Sequence, residues 1–181
     1  FREYTLPPDF SPLYISIEPE GPQVKAWFTS LGNSVGEIIY SPSSNNARVD
    51  QLALPAAAGG GAKGVRASSG IIWFAGANAI IKWESSTSRF TAWTIPSHVS
   101  NKAAFVDLDA QDQVWYTSTG TQAISAGNYV GVLRSDNTFT EWQVPSVGGS
   151  LQAVSINPVT GNPWIAEQGV DKVAKLDPST G

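Results

Sequence analysis

Four short stretches of the chain alternate apolar and polar residues and then stop at a proline: Phe1-Arg-Glu-Tyr-Thr-Leu-Pro7, Val49-Asp-Gln-Leu-Ala-Leu-Pro55, Phe90-Thr-Ala-Trp-Thr-Ile-Pro96 and Phe139-Thr-Glu-Trp-Gln-Val-Pro145. A period of two gives a β-strand one apolar face, and proline, lacking an N–H, suits the point where a strand leaves its sheet. The prolines stand 48, 41 and 49 residues apart. A second element recurs as Trp27-Phe-Thr-Ser30, Trp73-Phe-Ala-Gly76, Trp115-Tyr-Thr-Ser118 and Trp164-Ile-Ala-Glu167, its tryptophans 46, 42 and 49 apart. A third, an Asn or Asp followed by an apolar alternation, recurs at Asn33, Asn78, Asn128 and Asp171. Between each proline and tryptophan lies one more apolar segment: Leu13–Ile17, Gly64–Ala67, Ala103–Leu108 and Leu151–Ile156. Turn residues such as Glu20-Gly21, Ser69-Gly70, Gln111-Asp112 and Gly161-Asn162 separate the segments.

Each unit thus holds four short strands, a to d, in about 45 residues, the mark of a β-propeller blade. No segment keeps a helical period. The fold class is all-β, a propeller of four-stranded antiparallel blades with four repeats in residues 1–181: a strand d over 1–7, then units at about 8–55, 56–96, 97–145 and 146–181. The tryptophan of strand b is a large apolar plate suited to packing between blades, while strand d, richer in polar residues, suits the rim. Trp164 to Gly181 and residues 1–7 together span 24 positions, within the 23–30 that separate each internal Trp from the next Pro. Two architectures are therefore expected. In one, four blades close into a ring, with Phe1–Pro7 pairing beside Val173–Leu176. In the other, favoured by the absence of an initiating Met, the four repeats are a segment of a six- to seven-blade propeller in a longer polypeptide.

The run Trp-Phe-Thr-x, Asn-x-Val-Gly-x-Ile, Asp-Pro-Ser-Thr-Gly and Phe-x-x-Tyr/Trp-x-Leu-Pro resembles the streptogramin B (virginiamycin B) lyase-like propellers, with kinship to NHL-type propellers, and the resemblance covers all four units. It implies blades of this kind and, for the family's lyases, Mg²⁺-assisted elimination on a cyclic depsipeptide by His and Glu side chains converging on one face of a seven-bladed ring. Where the family often places Glu after Trp-Phe-Thr, this chain has Ser30, Gly76, Ser118 and Glu167, and its one histidine is His98.

Charged residues make up 14% of the chain, with 11 basic and 15 acidic side chains, a net charge of −4 and no basic cluster. Nucleic-acid binding, which needs grouped cations, is not expected. No stretch is apolar enough for a transmembrane segment. With no Cys, disulfides and Cys-ligated metals are excluded. Few charges among abundant Ser, Thr, Asn and Gly suit an extracellular or cell-surface protein.

In propellers the d–a and b–c loops share the face where ligands usually bind. Lys63, His98, Lys102, Thr121, Gln122, Glu167 and Asp171 fall on those loops. His98 and Glu167 are the candidate catalytic pair: an imidazole to take a proton and a carboxylate to hold Mg²⁺. Asp107, Asp109 and Asp112 lack the Gly and terminal Glu of a calcium loop, and Asp109–Trp115 is read as the a–b hairpin turn, so no metal site is expected. Gly59-Gly60-Gly61 has no following Gly-Lys-Ser/Thr and is read as a d–a connection. The longer b–c loop Thr119–Gly127 is the place for partner contacts. The expected function is a non-catalytic extracellular recognition or structural module, without a cofactor, binding a protein, a surface polymer or copies of itself. A Mg²⁺-dependent lyase with further catalytic residues outside this segment is the alternative, and a carbohydrate-binding propeller the second.

Overall fold

The computed structural model describes every residue except 9, 21–22, 100, 121–126 and 181. Its strands form four antiparallel sheets in chain order. The first blade is β1 (Pro12–Glu20), β2 (Gln23–Ser30), β3 (Ser34–Ser41) and β4 (Asn46–Ala53); the second is β5 (Ala62–Ser68), β6 (Ile71–Gly76), β7 (Ala79–Glu84) and β8 (Arg89–Thr94). The third is β9 (Asn101–Leu108), β10 (Val114–Gly120), β11 (Tyr129–Leu133) and β12 (Phe139–Gln143); the fourth has three strands, β13 (Leu151–Ile156), β14 (Pro163–Glu167) and β15 (Lys172–Lys175). Helical structure among the described residues is confined to three short 3₁₀ turns, Ala56–Ala58, Pro96–Val99 and Gln168–Val170.

The register explains the repeat. Opposite the strand-b tryptophans Trp27, Trp73, Trp115 and Trp164 stand Ser16, Arg66, Asp107 and Ser155 of strand a. The next residue of strand b points the other way, and its partners in strand a are Ile15, Val65, Val106 and Val154. Each blade therefore has a front face carrying the tryptophan and a back face carrying Phe28, Phe74, Tyr116 or Ile165. Front packs on back. Trp27 meets Phe74 edge-on at 6.2 Å within one cluster with Ile72, Ile81 and Trp83; Trp73 lies against Tyr116 and Val106; Trp115 lies against Val154 and Ile165. The Gly of Asn-x-Val-Gly has a steric cause: a Cβ at Gly36 or Gly131 would fall 2.2 Å from the ring of Phe28 or Tyr116, which lies across strand c.

Polar bonds cross the same seams. Ser16 Oγ accepts from the Ala67 N–H at 3.0 Å, and Asp107 Oδ2 from the Ile156 N–H at 2.9 Å. Asp107 also pairs with Arg66 Nε at 3.3 Å. Asp109 is a turn residue, as its sequence context suggests: it accepts from the Gln111 and Gln113 N–H groups, Gln113 Nε2 and Trp115 Nε1 at 2.9–3.0 Å. Asp112, at φ 57°, closes that turn.

The sheets do not close into a ring, and residues 1–7 do not pair with the fourth blade. They form no strand; Tyr4 and Leu6 line a groove on the first blade's back face with Ile15, Phe28 and Ile38, and Arg2 bonds to Asn45. The expected strand d over 1–7 is therefore absent, and only the packing of its apolar residues resembles that of an outer strand. Tyr4 and Leu6 hold the places that Leu52 and Leu54 hold against the second blade, and the Phe10 N–H bonds to Pro7 O as the Ala58 N–H does to Pro55 O. The segment lies on the first blade but joins no sheet.

Candidate functional site

The strand directions put the d–a and b–c loops at one end of the arc. There a cavity of about 370 Å³ spans three blades: Leu31 from the first, Gly59–Gly61, Lys63 and Ala77 from the second, and Lys102, Ala103, Ala104, Thr119 and Gly120 from the third. Gly59 and Gly60 turn its wall with φ of 72° and 132°, a backbone that other residues rarely adopt. Lys63 and Lys102 are exposed, and neither ammonium has an ion-pair partner among the described residues. The described lining holds no carboxylate. Both lysines line it from the starts of strands, Lys63 in β5 and Lys102 in β9, rather than from the d–a loops to which the repeat assigns them.

Of the other candidates, Glu167 and Asp171 are not among the residues that line this cavity. Glu167 ends β14 with its carboxylate buried and Oε2 without a hydrogen-bond partner among the described residues; a Cβ at Gly149 would sit 3.2 Å from that oxygen and 3.2 Å from Asn128 Nδ2. Asp171 is exposed in a left-handed turn. The His98 backbone lies in the Pro96–Val99 turn, while its side chain, like Thr121 and Gln122, is outside the described residues. Among the described residues no three His, Cys, Asp or Glu side chains gather around one point. Glu167 alone is a thin donor set for Mg²⁺, which prefers six oxygens, and the described side chains do not fit that ion.

One polar group was not legible in the sequence. Glu141 Oε1 accepts from Tyr116 Oη and Ser97 Oγ, each at 2.8 Å, and Ser97 Oγ lies 2.7 Å from Ser118 Oγ. Burial, and then the Glu141 charge, push the Tyr116 phenol far above its ordinary value. The network ties the Pro96–Val99 turn to β10 and β12, and so braces the third blade under the cavity.

This arc of four-stranded blades, packed front to back, matches solved propellers. The virginiamycin B lyase of Staphylococcus aureus superposes with a TM-score of 0.77 at 24% identity over 99% of this chain and 57% of that one. The chain has the fold of the streptogramin B lyase propellers. A second streptogramin B lyase structure matches with a TM-score of 0.73 at 23% identity, over 95% of this chain and 53% of that one. More distantly, the extracellular domain of a protein described as a one component system of B. thetaiotaomicron matches with a TM-score of 0.55 at 13% identity, over 90% of this chain and 21% of that one. The chain spans little more than half the length of the lyases it resembles. No family profile and no curated protein sequence matches it. No helix among the described residues is long and apolar enough to cross a membrane.

Proposed function

We propose that this lyase-like propeller is a non-catalytic extracellular recognition module that binds an anionic surface polymer at the loop-face cavity. The observation that carries this reading is the cavity itself: two ammonium groups on neighbouring blades without an ion-pair partner among the described residues, no carboxylate in the described lining, and a width of three blades. In a chain of net charge −4, that is a local reversal of sign, and clefts of one sign draw oppositely charged ligands. Carboxylate, phosphate or sulfate groups spaced along a polymer suit such a cleft. The extracellular placement draws support from the low charge content and from the propeller arc's likeness to an extracellular domain. Isothermal titration with polyglutamate and dextran sulfate, against neutral dextran, tests the reading. Binding to the anionic polymers should weaken as salt shortens the Debye length below about 8 Å, and should vanish in Lys63→Glu/Lys102→Glu. Equal binding by that variant would overturn it.

A second reading is favoured by Glu167, whose buried Oε2, without a hydrogen-bond partner among the described residues, stands at the end of strand b in a lyase-like fold. Under it the chain is part of a Mg²⁺-dependent lyase acting on a streptogramin B antibiotic. Chromatography for a linearised product, with and without chelator and in Glu167→Gln, decides between the two.

A further inference from the structure

The seam between the first and second blades opens, at the end away from the loop face, into a cavity of about 550 Å³. Glu18 of β1 and Lys25 of β2, which are register partners, line it from the first blade, and Ser69–Ile71 and Glu84–Ser86 line it from the second. Glu18 is only 4% exposed. Its Oε1 accepts the Gly70 N–H across the seam, and the Gly70 carbonyl accepts the Ser85 N–H at 2.9 Å. These bonds set Ser85 beside Glu18. Glu18 Oε2 and Ser85 Oγ are both buried, and neither has a hydrogen-bond partner among the described residues. The third blade shows the same position satisfied: Asp109, like Glu18, stands two residues beyond the strand-a residue opposite the tryptophan, and it uses both oxygens, one of them for the Trp115 indole. Glu18 gives no such bond to Trp27, whose Nε1 also has no partner among the described residues. The other charges around the cavity are answered, Lys25 by Glu37 at 3.9 Å and Glu84 by Lys82 at 2.7 Å. Glu18 has no ion pair among the described residues.

We propose that this cavity binds the primary ammonium group of a small organic amine, held by Glu18 Oε2 and Ser85 Oγ. A buried carboxylate oxygen left without a donor is costly, and a cation that donates hydrogen bonds removes that cost. A primary ammonium carries one charge and three donors and accepts nothing, which matches one carboxylate flanked by hydroxyls. Ser69 and Ser86 line the same cavity and offer hydroxyls for the remaining donor, while Ile71 gives the carbon skeleton an apolar surface. The volume is that of a small-molecule pocket. A divalent metal ion suits the site less well: it takes about six or more oxygens, and among the described residues no three acidic side chains gather around one point. Lys25 in the wall favours a ligand with a single cationic head over a polyamine. The site lies within one internal seam and shares no residue with the loop-face cavity, so the inference is independent of the polymer-binding reading.

The test is an amide-shift titration of the whole chain by nuclear magnetic resonance at neutral pH, with n-butylammonium as the probe. The Gly70 and Ser85 signals should move saturably at millimolar n-butylammonium. They should stay in place with n-butyltrimethylammonium, which has the charge but no N–H, and with Na⁺ or Ca²⁺ at the same concentration. Glu18→Gln keeps an oxygen for the Gly70 N–H and should weaken binding about tenfold or more. Ser85→Ala should weaken it about threefold. Circular dichroism should match the parent for both variants; were Glu18→Gln to misfold, Ser85→Ala and the trimethyl analogue still decide. Lys63→Glu/Lys102→Glu should bind the amine as the parent does, which separates this result from the polymer titration. No saturable shift, an equal shift with n-butyltrimethylammonium, or undiminished binding by a folded Glu18→Gln would each overturn the proposal. Displacement of the amine by Na⁺ or Ca²⁺ would mark an inorganic cation site and overturn it as well.

Discussion

Trp27 and Trp164 hold the same place in their blades, and the first is fully buried while the second is nearly half exposed. The sequence motif is the same and the strand pairing is the same; the difference is whether another blade stands in front. Blade formation is therefore a property of each repeat, whereas burial of the core belongs to the seam between repeats, as in other repeat architectures. Trp27→Ala removes the largest fully buried side chain and leaves a cavity against Phe74 and Trp83. It should cost about 3–5 kcal/mol in denaturant unfolding. Trp164→Ala, measured in dilute solution, should cost about 1 kcal/mol or less. Equal costs would break the comparison.

A second contrast lies within the acidic cluster. Asp109 is buried and accepts four hydrogen bonds, one of them from the indole N–H of Trp115 in the third seam. Asp112 is exposed and serves only the turn. Asp109→Ala leaves the Trp115 N–H without its partner and should cost about 2–3 kcal/mol. Asp112→Gly, at φ 57°, should leave stability unchanged or slightly raised, because glycine meets no steric penalty there. Thermal unfolding of the two variants side by side separates a seam residue from a turn residue.

The repeat and its blades were legible because tryptophan, proline and the strand-c Asn or Asp recur in order, and because apolar periodicity survives substitution. The seam bonds were not. Ser16, Arg66, Asp107 and Ser155 are equivalent only by pairing: they precede their tryptophans by 11, 7, 8 and 9 residues, since the a–b hairpins differ in length. The inner strands also carry register shifts, between Pro12 and Ile15, Ala62 and Val65, and Leu151 and Ala153. Residues 1–7 show the converse limit. Their alternation picks out Tyr4 and Leu6 as the apolar side, but a strand also needs a hydrogen-bonding neighbour, and residues 1–7 join no sheet. On the loop face, the repeat assigns Lys63 and Lys102 to d–a loops, whereas both stand at the starts of strands, because β5 and β9 begin one residue before them. The Tyr116–Glu141–Ser97–Ser118 network was missed because scattered polar residues have no period.

Base offers a third probe of a covered seam. Tyr116 lies on the third blade's back face, and the folded state holds its phenolic proton more tightly than the unfolded chain does. Its contribution is complete below the ordinary phenol value of about 10 and is lost above it, at about 1.4 kcal/mol per pH unit. Denaturant midpoints measured from pH 8 to 11 should fall accordingly, and Tyr116→Phe should remove that part of the slope. An unchanged slope in the variant would mean that Tyr116 ionises in the folded protein.

The smallest expected effect gives the closest matched pair. Ser16 and Ser155 are the same residue type at the same register position, one inside a seam and one on the uncovered front face. Ser16→Ala deprives the Ala67 N–H of its acceptor at a part-buried site and should cost about 0.5–1.5 kcal/mol. Ser155→Ala, in dilute solution, should stay within about 0.5 kcal/mol of the parent. Because the two substitutions remove the same atom from the same strand position, differences in intrinsic β-propensity cancel and what remains is the neighbouring blade. Amide exchange of Ala67 provides the local readout: faster in Ser16→Ala, unaltered in Ser155→Ala. If Ser155→Ala costs as much as Ser16→Ala at micromolar concentration, the front face of the fourth blade is already covered in solution, and the cost should then shrink as the protein is diluted.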